Sequence, residues 1–349
     1  MTHLVSAIDI WFEKLGIAFS DMQKSFTLFG GFQIYFYGVI IALAVMVGLF
    51  VATRVAKKTG QNPERYMELV IFAIIFGVIG ARLYYVIFAW DEYKNDLLQI
   101  FNLRAGGLAI YGAVIAGGLT AYVYSRRKKL NPLLVLDTAC CGLIAGQCLG
   151  RWSNFINMEA FGGYTEAFTA MRLNAAKLNP NMLAGYTGPL IEEGGVTYIQ
   201  VHPTFLYESL WSLMVLVVLL LFTKRKKFHG QIFLMYLAGY GLGRFWIEGL
   251  RTDQLKIGST GIAVSQLLSA LIVLGSAALM ILLWQKRKKG SLRPIFLLEG
   301  GVKAEERVKE EPKVQPEESE AQKKEAETEE AQPEETQPEE GKKTETPKP

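Results

Sequence analysis

Between residues 35 and 284 the chain runs through seven apolar stretches, at 35–53, 66–90, 106–124, 132–150, 203–222, 230–248 and 262–284. Each is close to the length of helix that crosses a hydrocarbon core about 30 Å thick. Inside hydrocarbon every backbone N–H and C=O must be satisfied within its own segment, so each stretch predicts a helix. The expectation is an all-α integral membrane protein of about seven transmembrane helices, with residues 34–290 as its membrane domain. Basic residues cluster after every second stretch: Arg54, Lys57, Lys58 and Arg65, then Arg126, Arg127, Lys128 and Lys129, then Lys224, Arg225, Lys226 and Lys227, then Lys286, Arg287, Lys288 and Lys289. The positive-inside rule puts these clusters in the cytoplasm, so the N-terminus is expected outside and the C-terminus in the cytoplasm.

The flanking regions differ in kind. From 291 to 349 the chain is dominated by Glu, Lys, Pro, Gln and Thr, a composition that buries too little apolar surface to fold and predicts a disordered cytoplasmic tail. Residues 1–33 lack the form of a cleavable signal. Within them Ile8, Ile10, Trp11, Phe12, Leu15 and Phe19 mix with Asp9, Glu13 and Lys14 over 4–19, which predicts an amphipathic helix in an interfacial N-terminal arm. Cys140, Cys141 and Cys148 share one apolar stretch and read as packing residues rather than a disulfide framework. His3, His202 and His229 stand far apart with no ligand-spaced partner, so no metal site is expected.

The predicted orientation sorts the unusual polar residues. Tyr37, Arg82, Tyr85, Tyr111, Arg151, Asn154, Glu159, His202, Tyr207, Glu208, Tyr240, Arg244 and Glu248 all fall at outer helix ends, whereas the inner connections hold ordinary anchoring lysines and arginines. A membrane-embedded Arg or Asp costs about 2.5–3.5 kcal/mol on insertion scales, so several together require partners or water. They predict one polar cavity opening outward and toward lipid. The connection 159–201, rich in Gly, Asn and aromatics, is expected to form a small extracytoplasmic head over that cavity.

Two stretches carry the chemistry. In Gly150-Arg151-Trp152-Ser153-Asn154-Phe155-Ile156-Asn157-Met158-Glu159-Ala160-Phe161-Gly162-Gly163, helical spacing brings Arg151, Asn154 and Asn157 to one side. A guanidinium flanked by amides suits a phosphate, because Arg offers a planar fork of donors. Arg151 alone would serve equally as a headgroup anchor; paired amides and a carboxylate would not be needed for that. In the second stretch Tyr240, Arg244 and Glu248 recur every four residues, with Arg251 three further on and Gly239, Gly241 and Gly243 allowing close approach. An internal Arg244–Glu248 pair would explain part of this stripe but not Arg251. His202-Pro203-Thr204 reads as a helix start, with Glu208 complementing the helix dipole. Tyr111 sits among Gly106, Gly107, Gly112, Gly117 and Gly118, as a belt tyrosine or as a hydroxyl aimed into the cavity.

With these pieces assembled, the chain resembles the bacterial prolipoprotein diacylglyceryl transferases over about residues 33–284. The 150–162 stretch is similar to the family signature G-R-x-x-N-F-I-N-x-E-x-x-G. Tyr37-Gly38, Gly80-Ala81-Arg82, Gly106 to Gly112, His202 to Glu208 and Tyr240 to Arg251 follow in family order. The resemblance implies a multi-pass enzyme of the bacterial cell membrane. It would move a diacylglyceryl group from phosphatidylglycerol to the lipobox cysteine of prolipoprotein signal peptides, forming a thioether and releasing glycerol phosphate. Carried over, Arg151 and Arg244 hold the phosphoglycerol headgroup, while Asn154, Glu159, Gly162, Tyr37, Tyr240 and Glu248 shape the site. Arg82, Asn157 and Arg251 join the substrate-binding set from their placement. Many members carry His where this chain has Tyr111, which leaves the general base as Tyr111 or His202. The chemistry calls for no cofactor, metal or nucleic acid. A transporter, or a lipid-binding protein with an outward cavity, is the competing class; polar residues confined to one leaflet and no internal repeat argue against transport.

Overall fold

The computed structural model describes residues 8–103, 106–252, 254–256 and 261–297. Of the tail expected over 291–349, residues from 298 onward lie outside the described residues, as does the start of the N-terminal arm; within 291–297, Leu292 and Phe296 instead pack against Phe228, Leu234 and Leu283, because both are apolar. Helices occupy all seven expected positions: α1 (Phe36–Lys58), α2 (Glu64–Phe88), α3 (Ile110–Arg127), α4 (Pro132–Gly150), α5 (Thr204–Phe222), α6 (Gln231–Glu248) and α7 (Val264–Lys288). Five helical segments are long and apolar enough to cross a membrane: α1, α2, α4 with its extension to Asn157, α5 and α7. The 18-residue α3 and α6 fall short by composition, because glycines, tyrosines and charged residues dilute them.

Glycine sets the closest helix crossings. A Cβ on Gly112 of α3 would sit 2.3 Å from the Gly80 carbonyl of α2, and one on Gly142 of α4 would sit 2.4 Å from that of Gly48 in α1. Removing the side chain lets the backbones meet, which is how apolar helices gain contact where lipid is as greasy as leucine. At the basic end of the bundle, Lys128 pairs with Glu68 at 2.7 Å. Asp137, solitary in the sequence, accepts from Gly230 N and Phe233 N at 2.9 Å each and pairs with Lys226 at 3.1 Å. It thereby satisfies donors at the start of α6, which a helix cannot satisfy internally.

The fold is not all-α. Seven short strands are present among the described residues: β1 (Ile8–Phe12), β2 (Ile17–Ser20), β3 (Ser25–Leu28), β4 (Phe32–Tyr35), β5 (Met171–Asn174), β6 (Leu190–Glu193) and β7 (Val196–Val201). Five make an antiparallel sheet in the order β2-β1-β5-β7-β6, and β3 and β4 form a separate hairpin. The amphipathic helix expected over 4–19 is therefore replaced by β1 and β2, strands that complete a sheet begun by the 159–201 connection. The reason is visible in β1: Ile8, Ile10 and Phe12 alternate with Asp9 and Trp11, a period of two rather than 3.6. Ile10 and Phe12 enter a core with Leu173, Ile199, Val201 and Phe205, while Trp11 stacks under Arg172 on the other face. The buried Asp9 carboxylate accepts from Met22 N at 2.7 Å and pairs with Lys177 at 2.7 Å.

The same core takes Phe155, Met158 and Phe161 from the 150–162 stretch. The apolar residues of that stretch thus fasten the sheet to the end of α4, and its polar residues face elsewhere.

Candidate active site

α4 ends at Gly150, and the chain continues through Arg151 into a short helix, Trp152–Asn157. That helix stops where Met158 and Ala160 take left-handed backbone angles, φ 53° and 56°. Neither residue is glycine, so each adopts a conformation that a Cβ disfavours. The turn is held by reciprocal bonds: Glu159 N donates to Asn154 O at 3.0 Å, and Asn154 Nδ2 donates to Glu159 Oε1 at 3.0 Å. Thr204 Oγ1 donates to the Ala160 carbonyl from the start of α5. Such strain persists where surroundings over-determine the backbone, as they do at functional sites.

Gly162 then lies between two other segments. Its N–H donates to His202 O at 3.0 Å, it bridges to Arg251, and Gly163 N donates to Leu250 O at 2.8 Å. A Cβ on Gly162 would come within 2.8 Å of both His202 Cβ and Leu250 O. This close approach draws Arg151, His202 and Arg251, distant in sequence, to one end of the bundle.

There three arginines meet two carboxylates. Glu208, in the second turn of α5, pairs with Arg151 Nε, with Arg244 at 2.9 Å and with Arg251 at 3.9 Å. Glu248, closing α6, pairs with Arg244 at 2.6 Å and Arg251 at 3.8 Å, and accepts from Ser265 Oγ at 2.6 Å. Both carboxylates are buried, whereas Arg151 keeps 24% of its side chain exposed and Arg244 19%. The set carries one net positive charge, with the cations at its accessible rim. Such a set suits an anion, because its guanidiniums are held in place by the buried carboxylates.

Other expected residues lie apart from this cluster. Arg82 is buried and donates to five backbone carbonyls, those of Gln99, Ile100, Asn102, Gly106 and Gly107, at 2.6 to 3.2 Å. A guanidinium has five N–H donors, so Arg82 clamps the α2–α3 connection and has no fork left for a phosphate. Tyr111, in the first turn of α3, is 41% exposed; its ring meets Tyr84 with centroids 6.4 Å apart. Among the described residues Tyr111, Tyr37 and Asn157 make no side-chain hydrogen bond. Tyr240 stacks on Tyr236 at 5.8 Å, one turn from Arg244.

His202 has a different setting. Its Nδ1 lies 3.3 Å from Tyr207 Oη, which lies 2.8 Å from Thr169 Oγ1, and Tyr207 stacks on Trp246. Burial holds the His202 imidazole below its ordinary pKa, favouring the neutral ring. The sequence reading placed Tyr207 and Glu208 at the cavity but took Glu208 as a dipole complement rather than the partner of three arginines, and it missed Ser265 and Thr169. The signal for Glu208 was available: an acid two turns into an apolar span needs cationic partners.

The sequence that carries this cluster has relatives. Residues 23–282 match the family model described as prolipoprotein diacylglyceryl transferase. A Clostridioides difficile protein is 39% identical over 266 residues, covering 76% of this chain and 97% of that protein. One from Listeria innocua is 42% identical over 254 residues, covering 72% and 86%, and one from Halalkalibacterium halodurans is 38% identical over 271 residues, covering 77% and 88%. All three are named phosphatidylglycerol–prolipoprotein diacylglyceryl transferase. On the match across 23–282, which takes in every element bearing the arginine cluster, the chain belongs to the prolipoprotein diacylglyceryl transferase family.

Proposed function

We propose that this chain transfers the diacylglyceryl group of phosphatidylglycerol to the lipobox cysteine thiol of prolipoproteins, the first step of bacterial lipoprotein maturation. The observation that carries this reading is the convergence of Arg151, Arg244 and Arg251 on the buried Glu208 and Glu248. In this reading all seven long helices cross the bacterial cell membrane, with the basic clusters in the cytoplasm and the five-stranded sheet as the extracytoplasmic head. Support comes from the two bundle ends: lysine-rich connections lie at one and the arginine–carboxylate cluster at the other.

The cysteine sulfur attacks the glycerol carbon that bears the phosphate ester. A carbon–sulfur bond forms as the carbon–oxygen bond breaks, and the electron pair leaves on the phosphate oxygen. The phosphodiester monoanion becomes a monoester dianion, so one negative charge develops at the phosphate. Arg151 and Arg244 face that charge from positions fixed by Glu208, so little reorganisation is needed as it grows. Asn154 and Glu159 hold the turn that aims Arg151, and Gly162 brings His202 and Arg251 alongside it. Tyr37 and Tyr240 border the lipid, and Asn157 offers a further amide to the headgroup.

The thiol must lose its proton, since the thiolate is the nucleophile. Two observations support His202 over Tyr111 as the acceptor. His202 is tied through its own backbone to Gly162 and Gly163, while Tyr111 contacts Tyr84 and no charged group of the cluster. With the proton on Nδ1, 3.3 Å from Tyr207 Oη, Nε2 would be the nitrogen that takes the thiol proton.

The test is direct. Purified protein is mixed with phosphatidylglycerol and a lipobox peptide, and the peptide cysteine is followed by mass spectrometry. A diacylglyceryl mass increment on the thiol is expected; its absence with folded protein and bound lipid would reduce the chain to a lipid-binding protein.

A further inference from the structure

Arg151 and Arg244 stand at the ends of helices that run the same way: Asp137 of α4 meets the start of α6, and the two arginines share Glu208 at the other end. Each helix carries a polar residue one turn deeper in the bundle. On α4, Gln147 precedes Arg151 by four residues; on α6, Tyr240 precedes Arg244 by four. Four residues of helix rise about 6 Å, so both form a layer below the guanidiniums. Tyr236 of α6 joins them, since Gln147 Nε2 donates to its hydroxyl at 3.1 Å and its ring stacks on Tyr240. Gln147 and Tyr240 are partly exposed, whereas Tyr236 is 5% exposed and Ile144 is fully buried beneath Gln147.

An amide among apolar helices is unfavourable unless its hydrogen bonds are made. A Gln side chain offers two N–H donors and a carbonyl acceptor. Here Tyr236 Oη, 3.1 Å from Nε2 and 3.4 Å from Oε1, is the amide's only hydrogen-bond partner among the described residues, so one N–H is spare. What a phospholipid places at this depth follows from its covalent structure. Its ester carbonyls hang from the other two carbons of the glycerol whose third carbon bears the phosphate. With the phosphate at Arg151 and Arg244, those carbonyls lie on its acyl-chain side, in the layer of Gln147. An ester carbonyl accepts and cannot donate, which matches a spare N–H.

We propose that Gln147, its amide oriented by Tyr236, donates to an ester carbonyl of the donor lipid, so that the enzyme selects ester-linked diacylglyceryl over ether-linked dialkylglyceryl donors. This rests on the transfer reaction proposed above, with the phosphate at the two arginines. Neither ester bond breaks in that reaction, so the contact is the same in the bound lipid and in the transition state. It therefore belongs to binding and acts on KM, with kcat little changed. An ether lipid keeps the phosphate, the reacting carbon and both chains but lacks the carbonyls, and so remains a competent donor. One neutral hydrogen bond corresponds to a preference of about 3- to 10-fold.

The test uses full-length protein in phosphatidylcholine nanodiscs holding graded fractions of dioleoyl phosphatidylglycerol or of its dioleyl ether analogue. Lipidation of a lipobox peptide is followed by mass spectrometry. Wild-type protein should use both lipids at similar kcat, with KM about 3- to 10-fold higher for the ether lipid. Gln147→Met keeps the length of the side chain and removes the amide. It should raise KM for the ester lipid to the ether value and leave the ether value alone. Tyr236→Phe, which releases the amide, should at least halve the preference. If Gln147 only ties α4 to α6, its loss weakens use of both lipids alike. An unchanged preference in folded Gln147→Met, or in folded Tyr236→Phe should the first variant not fold, overturns the proposal. Wild-type KM values within about twofold of each other overturn it with the transferase reading intact. Transfer from neither lipid by folded wild-type protein brings down that reading and the proposal together.

Discussion

Glu208→Gln is the most informative single change, because Glu208 is expected to touch no substrate and yet to govern the groups that do. In the wild-type protein its buried carboxylate holds Arg151, Arg244 and Arg251 together. Gln keeps the shape and one acceptor oxygen but removes the charge, leaving Arg244 and Arg251 on Glu248 and Arg151 without its carboxylate partner. Breaking a buried ion pair by removing one partner typically costs ~3–5 kcal/mol, and retention of one acceptor puts the expected loss of stability at the lower end. Catalysis should suffer separately. With its site two units positive, the variant should bind the anionic lipid as well as before or better, so KM for phosphatidylglycerol should not rise. The arginines would no longer be held where charge develops, and loss of one such preorganised donor lowers kcat by about 10²–10³-fold. The assay is single-turnover lipidation of a lipobox peptide across a series of phosphatidylglycerol fractions, read beside thermal unfolding in the same nanodiscs. Glu208→Asp, which restores the charge on a shorter stem, should recover part of kcat. A folded Glu208→Gln protein with kcat within about twofold of wild type would refute the positioning argument, since neutralising the carboxylate would then not matter to the transition state.

Five further outcomes are expected. Arg151→Lys and Arg244→Lys keep a charge but lose the planar fork, so turnover should collapse in both; Lys128→Gln, which loses a surface pair with Glu68 worth ~0–1 kcal/mol and a contact over the Tyr124 ring, should be nearly silent. His202→Gln should lower turnover by about 10²-fold or more, whereas Tyr111→Phe should stay near wild type; the reverse ranking in the peptide assay would return the base to Tyr111. Because burial depresses the His202 pKa, the neutral base persists to lower pH, so the wild-type acid limb should fall below the ordinary ~6.5 and disappear in His202→Gln, whose rate should instead climb with thiol ionisation near ~8.5. Gly162→Ala places a methyl 2.8 Å from His202 Cβ and the Leu250 carbonyl, and should lower stability by roughly 1–3 kcal/mol while depressing turnover. A cysteine-accessibility scan in intact cells should label Asn181→Cys from outside and Lys289→Cys only after permeabilisation; labelling of Lys289→Cys from outside would invert the topology.

Much of the architecture is written locally. A helix in hydrocarbon satisfies its own backbone, so apolar length alone located every long helix, and the charge clusters between them were legible without contacts. Part of the 150–162 stretch is local in the same way: Asn154 and Glu159 bond each other five residues apart, whereas the Arg151 side chain finds Glu208 of α5. Strands are different. β1 is five residues long and pairs with β5 more than 150 positions away, so its period of two was easily read as half of an amphipathic helix.

The remaining decisions belong to long-range approach. Arg82 and Arg151 look alike in the sequence, each an arginine toward the expected outer end of an apolar stretch. Only the packed structure shows five loop carbonyls closing around Arg82, while Arg151 meets a carboxylate and stays partly open. Glu208 reads as a helix-start acid until α4 and α6 bring arginines to it. Composition and periodicity determine where a segment lies relative to lipid, because that free energy is summed residue by residue along the chain. Which donor finds which acceptor depends on distances between segments, and in this protein glycines at the crossings of α1 with α4 and α2 with α3, together with Gly162, set those distances.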